Sequence, residues 1–189
     1  MHKLHAAPVS IDASVALDFH LTNSFEILVE LFAGKMLMSD FVKNELPKTM
    51  DLRETTIVPL ANTTEWELLE KLKKEKRGLG LGEIGAIVIA KTRDAVLLTN
   101  DKLARNAIQG MGIEVAGSIG VLEYAVESGR MQSEAAIELL RKMILQGARI
   151  SNELVTNFED RLRNKKKTEV RKLSVQAEKS AVVRPEQTS

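Results

Sequence analysis

Cysteine is absent from the 189 residues, which excludes a disulfide framework and a thiolate metal site and fits a reducing cytoplasm. Histidine is nearly as scarce. His2, His5 and His20 all lie near the N-terminus without H-E-x-x-H spacing, so neither a zinc site nor a Ser-His-Asp triad is expected. Aromatic residues make up only 4%, and Trp66 and Tyr124, at helical positions, read as core rather than as platforms for stacked bases. Long apolar runs are missing too. The longest, Ile84 to Ala90, falls far short of the roughly 20 residues that span a bilayer, and Met1 to Ser10 lacks the apolar stretch of a signal peptide. Secretion and membrane insertion are therefore not expected.

What remains is the composition of a globular chain: 44% hydrophobic, 28% charged, 27 Lys+Arg against 26 Asp+Glu. The charge is unevenly placed. Residues 163–189 hold eight basic and three acidic side chains, which leaves 19 basic and 23 acidic in residues 1–162. This divides the chain into one mildly acidic domain, 1–162, and a basic tail, 163–189. The tail reads either as a solvated, disordered end or as a contact for a polyanion.

Within 1–162, short apolar runs alternate with amphipathic stretches, and no repeat of fixed period occurs. Strands are expected at Pro8 to Asp12, Lys35 to Met38, Asp94 to Thr99 and Ile113 to Ala116, and a brief run occurs at Thr56 to Leu60. Helices are expected from about Ser14 to Phe32, then over Phe41 to Leu46, from Thr63 or Thr64 to about Lys76, and over Glu83 to Thr92, Lys102 to Gln109 and Ile119 to Glu127. Two more start at Ser133 and Ser151. Strands separated by helices of about ten residues indicate βαβ units, hence a parallel, helix-flanked sheet. The seven methionines read as core filler.

In such sheets ligands sit beyond the carboxyl ends of the strands. Asp12 closes the first strand, Asp101 follows DAVLLT, Glu45 lies on the short helix after KMLM, and Glu83 opens a helix past the glycine-rich GLGLGEIG. If the four converge, their mutual repulsion calls for a divalent cation, and hard oxygen ligands select Mg²⁺ or Mn²⁺. Such an ion supports phosphodiester hydrolysis. Each acid also has a plainer reading: Asp101 and Glu83 as helix-start residues, Glu45 as one charge on a solvated face. Gly80, Gly82 and Gly85 satisfy G-x-G-x-x-G with Asp101 about twenty residues on, the pattern of a dinucleotide fold. That reading requires a buried strand before Gly78, where the charged LLEKLKKEKR reads as helix. A helix end and turn at Gly78 to Gly82 accounts for the glycines instead.

SIDAS around Asp12, SDFVKNEL around Glu45, GLGLGEIGAIVIA around Glu83 and VLLTNDKLAR around Asp101, continued by GIEVAGSIGVLEYAVESG, resemble the PIN-domain family, close to the VapC-like toxins. The resemblance covers roughly residues 8 to 160. It implies a three-layer α/β/α sandwich with a parallel sheet and a metal-dependent endoribonuclease, with Asp12, Glu45, Glu83 and Asp101 binding Mg²⁺ or Mn²⁺ and Ser14 and Thr99 supporting them by hydrogen bonds. The chain departs from many relatives in offering Glu83, in a G-E-I-G context, as the third acid. Asp94 precedes its strand and belongs at the other end of the sheet. The implied partners are RNA, an antitoxin protein and a second copy of the chain. The alternative is a non-catalytic module of the same fold that binds RNA or protein.

Overall fold

The structure is a computed structural model that describes residues 2–165. The expected tail, 163–189, lies outside the described residues from 166 onward. Five strands alternate with helices: β1 (Val9–Ile11), α1 (Ala13–Leu21), α2 (Phe25–Leu31), β2 (Met36–Ser39), α3 (Asp40–Glu45), β3 (Thr56–Val58), α4 (Thr63–Glu75), α5 (Leu81–Thr92), β4 (Val96–Leu98), α6 (Lys102–Ala107), β5 (Val115–Ala116), α7 (Ser118–Glu127) and α8 (Ser133–Leu145). A one-turn 3₁₀ segment, His2–His5, precedes them, and a last helix, α9, occupies 152–165.

All strand pairs are parallel, in the order β3-β2-β1-β4-β5. Val9 stands opposite Met36 on one side and Val96 on the other, which puts β1 at the centre. Parallel neighbours need crossover connections, and these supply the outer layers. α4, α5 and α6 cover one face, while α1, α2, α7 and α8 cover the other; α3 sits at the carboxyl edge and touches both α1 and α5. The architecture is a three-layer α/β/α sandwich.

The central strands are buried along their length: Val9, Ser10, Ile11, Met36, Met38, Val96, Leu97 and Leu98. The apolar run Ile84 to Ala90 becomes intelligible here, because every residue of it is buried and α5 is apolar on all sides. Ser10 Oγ, on the central strand, donates to the Ala86 carbonyl at 2.8 Å and ties α5 to β1. α4 is pinned at its start by Glu65, which is shielded from solvent. That carboxylate pairs with Arg93 at 2.7 Å and accepts from the Ala61 N–H at 2.8 Å. Burial works against its charge, but the Ala61 N–H and the Arg93 guanidinium prevail and hold its pKa below the usual glutamate value.

Three expectations need correction. The single helix expected from Ser14 to Phe32 is two, because Asn23 adopts φ +52° and the hydroxyls of Thr22 and Ser24 bond the carbonyls of Asp18 and Phe19 at 2.8 and 3.1 Å. Short polar side chains that compete for the backbone end α1 there, and α2 starts afresh at Phe25 with Leu28 buried. α5 begins at Leu81, two residues ahead of Glu83. Trp66 is not core: it is 46% exposed, whereas Tyr124 is buried.

Candidate acidic site at the carboxyl edge of the sheet

The segment before Gly78 is α4, a helix, so the glycines follow no strand and the dinucleotide reading falls. Gly78, at φ +97°, lets the chain reverse after α4 and start α5 at the carboxyl edge. Glu83 is thereby placed beside the ends of β1 and β4. Its Oε2 accepts from the Gly80 N–H, one half of a capping box.

Asp12 leaves β1 and caps α1. It is 2% exposed, and its Oδ2 accepts from the Ser14 hydroxyl at 2.6 Å and the Thr99 hydroxyl at 2.8 Å. The Thr99 hydroxyl in turn accepts from the Asp101 N–H at 3.1 Å, so one buried oxygen links the ends of β1 and β4. Asp101 caps α6, its Oδ1 accepting from the Ala104 N–H at 2.8 Å. Glu45 arrives from α3, and its Oε1 accepts from the Gly82 N–H at 3.1 Å. The approach is close because α5 offers glycines to α3. A Cβ at Gly82 would stand 2.4 Å from Glu45 Oε1, and one at Gly85 would stand 2.6 Å from Ser39 Oγ and 3.0 Å from Phe41. Glu45 and Phe41, one turn apart on α3, thus face Gly82 and Gly85, one turn apart on α5.

Asp12, Glu45, Glu83 and Asp101 act on one another electrostatically. Burial pushes the Glu83 carboxyl up, the Gly80 N–H pulls it down, and the charges of Asp101, Asp12 and Glu45 push it further up. Burial raises Glu45 as well, opposed by the Gly82 N–H and reinforced by Asp12. The hydrogen-bond partners of the four carboxylates named above are all neutral groups. That donor set, hard and anionic, fits Mg²⁺ or Mn²⁺. For each acid the hydrogen bonds fall on a single oxygen: Oδ2 of Asp12, Oε1 of Glu45, Oε2 of Glu83 and Oδ1 of Asp101. Among the described residues, however, no three acidic or histidine side chains stand together as a ready ligand shell. The plainer readings of Asp101 and Glu83 also hold, since Asp101 caps the start of α6 and Glu83 lies in the first turn of α5.

A family model described as PIN domain matches residues 8–164. The chain belongs to the PIN-domain family. No curated protein and no solved structure matches it. The fold of this PIN domain is therefore of nuclease type, in a family that generally uses divalent metal ions and often binds RNA. Asp94, with φ +47°, occupies the turn before β4 at the opposite, amino edge of the sheet.

Sequence reasoning missed a second polar cluster on the same edge of the PIN domain. Asp18, one and a half turns into α1, accepts at Oδ2 from Asn100 Nδ2 and Ser118 Oγ, both at 2.7 Å. Asn100 Oδ1 accepts from the Ser118 N–H at 2.9 Å, and its own N–H donates to Ser14 Oγ at 3.0 Å. Burial raises the Asp18 pKa, and the bonds from Ser118 and Asn100 oppose it. Arg105 donates to the Thr99 carbonyl at 2.7 Å. The only signal in the sequence was the position of Asn100 and Ser118 just past two strands. A cavity of about 460 Å³ opens elsewhere, between α1, α2 and the segment 49–54, and Asp12, Glu45, Glu83 and Asp101 are not among its lining residues.

Proposed function

We propose that this PIN domain is a Mg²⁺- or Mn²⁺-dependent endoribonuclease, with Asp12, Glu45, Glu83 and Asp101 as the metal-holding carboxylates. The observation that carries the reading is the bonded link from Asp12 through the Thr99 hydroxyl to the Asp101 backbone, with Glu45 held by the Gly82 N–H at the start of the helix that bears Glu83. A bound divalent ion supplies polarisation of the scissile phosphodiester and a water of lowered pKa. The chain's own work is positional. Ser14 and Thr99 fix one oxygen of Asp12, the Gly82 N–H fixes one oxygen of Glu45, and the α6 N-terminus fixes Asp101. The Thr99 hydroxyl, bonded to Asp12 and to the Asp101 backbone, couples those two acids in space.

The test is Asp101→Asn, whose side-chain oxygen can still cap α6. Cleavage of RNA should vanish while the circular dichroism spectrum and melting temperature are retained. Metal-dependent cleavage by that variant sinks the assignment.

The second reading, a non-catalytic module binding RNA or protein, is favoured by the capping bonds that give Asp12, Glu83 and Asp101 structural work. Calorimetric titration with Mn²⁺ separates the two: the nuclease binds the ion, the module does not. A toxin restrained by an antitoxin, in the cytoplasm and as a homodimer, is the biological setting that the VapC-like resemblance suggests. Expression of the wild-type chain should then arrest growth, and expression of Asp101→Asn should not.

A further inference from the structure

We infer that the exposed side of α4 is a strand-binding platform for single-stranded RNA, on which Trp66 stacks a base and the cations at the end of the helix hold phosphates; the inference rests on the ribonuclease reading. Trp66 is the chain's single tryptophan, and it is 46% exposed. It is not loose. Its ring meets Phe41 edge-to-face, with centroids 6.4 Å apart and planes at 87°. Phe41 lies against Gly85, and Glu45 is one turn further along α3. A contiguous path therefore runs from the indole through Phe41 to one of the four acids. A large amphipathic ring held in a fixed orientation, with almost half its surface in water, is what a base-stacking site requires.

α4 itself holds four glutamates against three lysines, and the charge that complements the ligand gathers at its end and in the turn that follows. Residues 71–77 hold Lys71, Lys73, Lys74, Lys76 and Arg77 against Glu75 alone. Lys73 shares the Trp66 face two turns on, and its exposed pair with Glu70 at 2.9 Å is of the weak, exchangeable kind. Lys76 and Arg77 are exposed where α4 passes into the turn at Gly78 that delivers Glu83. An acidic edge repels a polyanion. A substrate backbone reaches it only if cations beside it offset that repulsion, and the end of α4 offers such cations.

The experiment uses the full chain in EDTA, so that binding is read without cleavage. Labelled single-stranded RNA is titrated and followed by anisotropy, and the lone tryptophan reports its own site by fluorescence. RNA should quench Trp66 with the same midpoint as the anisotropy change. Trp66→Ala should weaken binding roughly 5- to 100-fold, with Trp66→Phe recovering most of it and the melting temperature of Trp66→Phe confirming the fold. Lys76→Ser/Arg77→Ser should lower the slope of log K against log salt by roughly 1.4, the share of two phosphates on a single strand. Equal affinity in Trp66→Ala, absence of quenching, or capture of a protein but not RNA by this face overturns the platform. The nuclease reading is judged separately by metal-dependent cleavage: a wild type that binds RNA through α4 but never cuts it keeps the platform and loses the nuclease, and cleavage unaffected by all these variants does the reverse.

Discussion

The Gly82 N–H donates to Glu45 Oε1 at 3.1 Å, and a Cβ on residue 82 would lie 2.4 Å from that same oxygen. The glycine thus positions the carboxylate twice, by a bond and by leaving room for it.

Gly82→Ala separates stability from function. The clash is with the far end of a flexible side chain, so Glu45 swings away at the loss of one hydrogen bond, about 1 kcal/mol, while alanine gains up to about 1 kcal/mol in helix propensity. Chemical denaturation should register a net change under about 1 kcal/mol. Mn²⁺ affinity and RNA cleavage should fall roughly 10- to 100-fold, as expected when the group that orients a ligand is removed.

Thr99→Val removes a buried hydroxyl that donates to Asp12 and accepts from the Asp101 N–H. Two groups lose a partner at once, and urea unfolding should show a loss of about 1–3 kcal/mol. Thr99→Ser, which keeps the hydroxyl, should restore most of the cleavage rate.

The raised carboxyls predict how the metal-free protein responds to pH. Asp18, Glu45 and Glu83 all have folded pKa values above their ordinary ones. A raised acid binds more protons folded than unfolded, so its protonated form favours the native state, and that contribution is lost as pH rises from the ordinary carboxylate range through the folded value. Melting temperature in EDTA should decline over that interval. Mn²⁺ should raise the wild-type melting temperature, and Glu83→Gln, which can still accept from the Gly80 N–H, should flatten the decline and abolish that rise.

Glu65 has the opposite sign. Its folded pKa is depressed, so its contribution is present above the unfolded value and is lost as pH falls through the folded one. Glu65→Gln should cost about 1–3 kcal/mol at neutral pH, with the difference from wild type shrinking in acid.

Three strands, β1, β2 and β4, were legible because each is a short apolar run closed by or leading to a cap residue. Asp12, Ser39 and Asp101 announce in the sequence both the end of a strand and the start of a helix, and all three cap helices in the structure. The same residues limited what could be read about the site, since an aspartate that caps and an aspartate that holds metal have the same neighbours in sequence. The break at Asn23 was hidden by apolar residues that continue helically across it, from Phe19 to Leu28. Asp18, Asn100 and Ser118 were invisible as a group because their contacts join α1, the end of β4 and the start of α7, and no local pattern encodes such distances. Trp66 was misjudged because periodicity assigns a residue to a face of α4 without saying whether anything covers that face.

The placement of β1 between β2 and β4 governs when the acidic edge comes into being during synthesis. Ile11 pairs with Leu98, and Asp12 receives a bond from Thr99, so the first acid is joined to the strand that precedes Asp101 only after nearly a hundred residues have been made. While that length is still being translated, the emerging chain can offer Asp12 only its local bonds from Ser14. The rim that gathers Asp12 and Asp101 is therefore complete only once the central strand is enclosed on both sides.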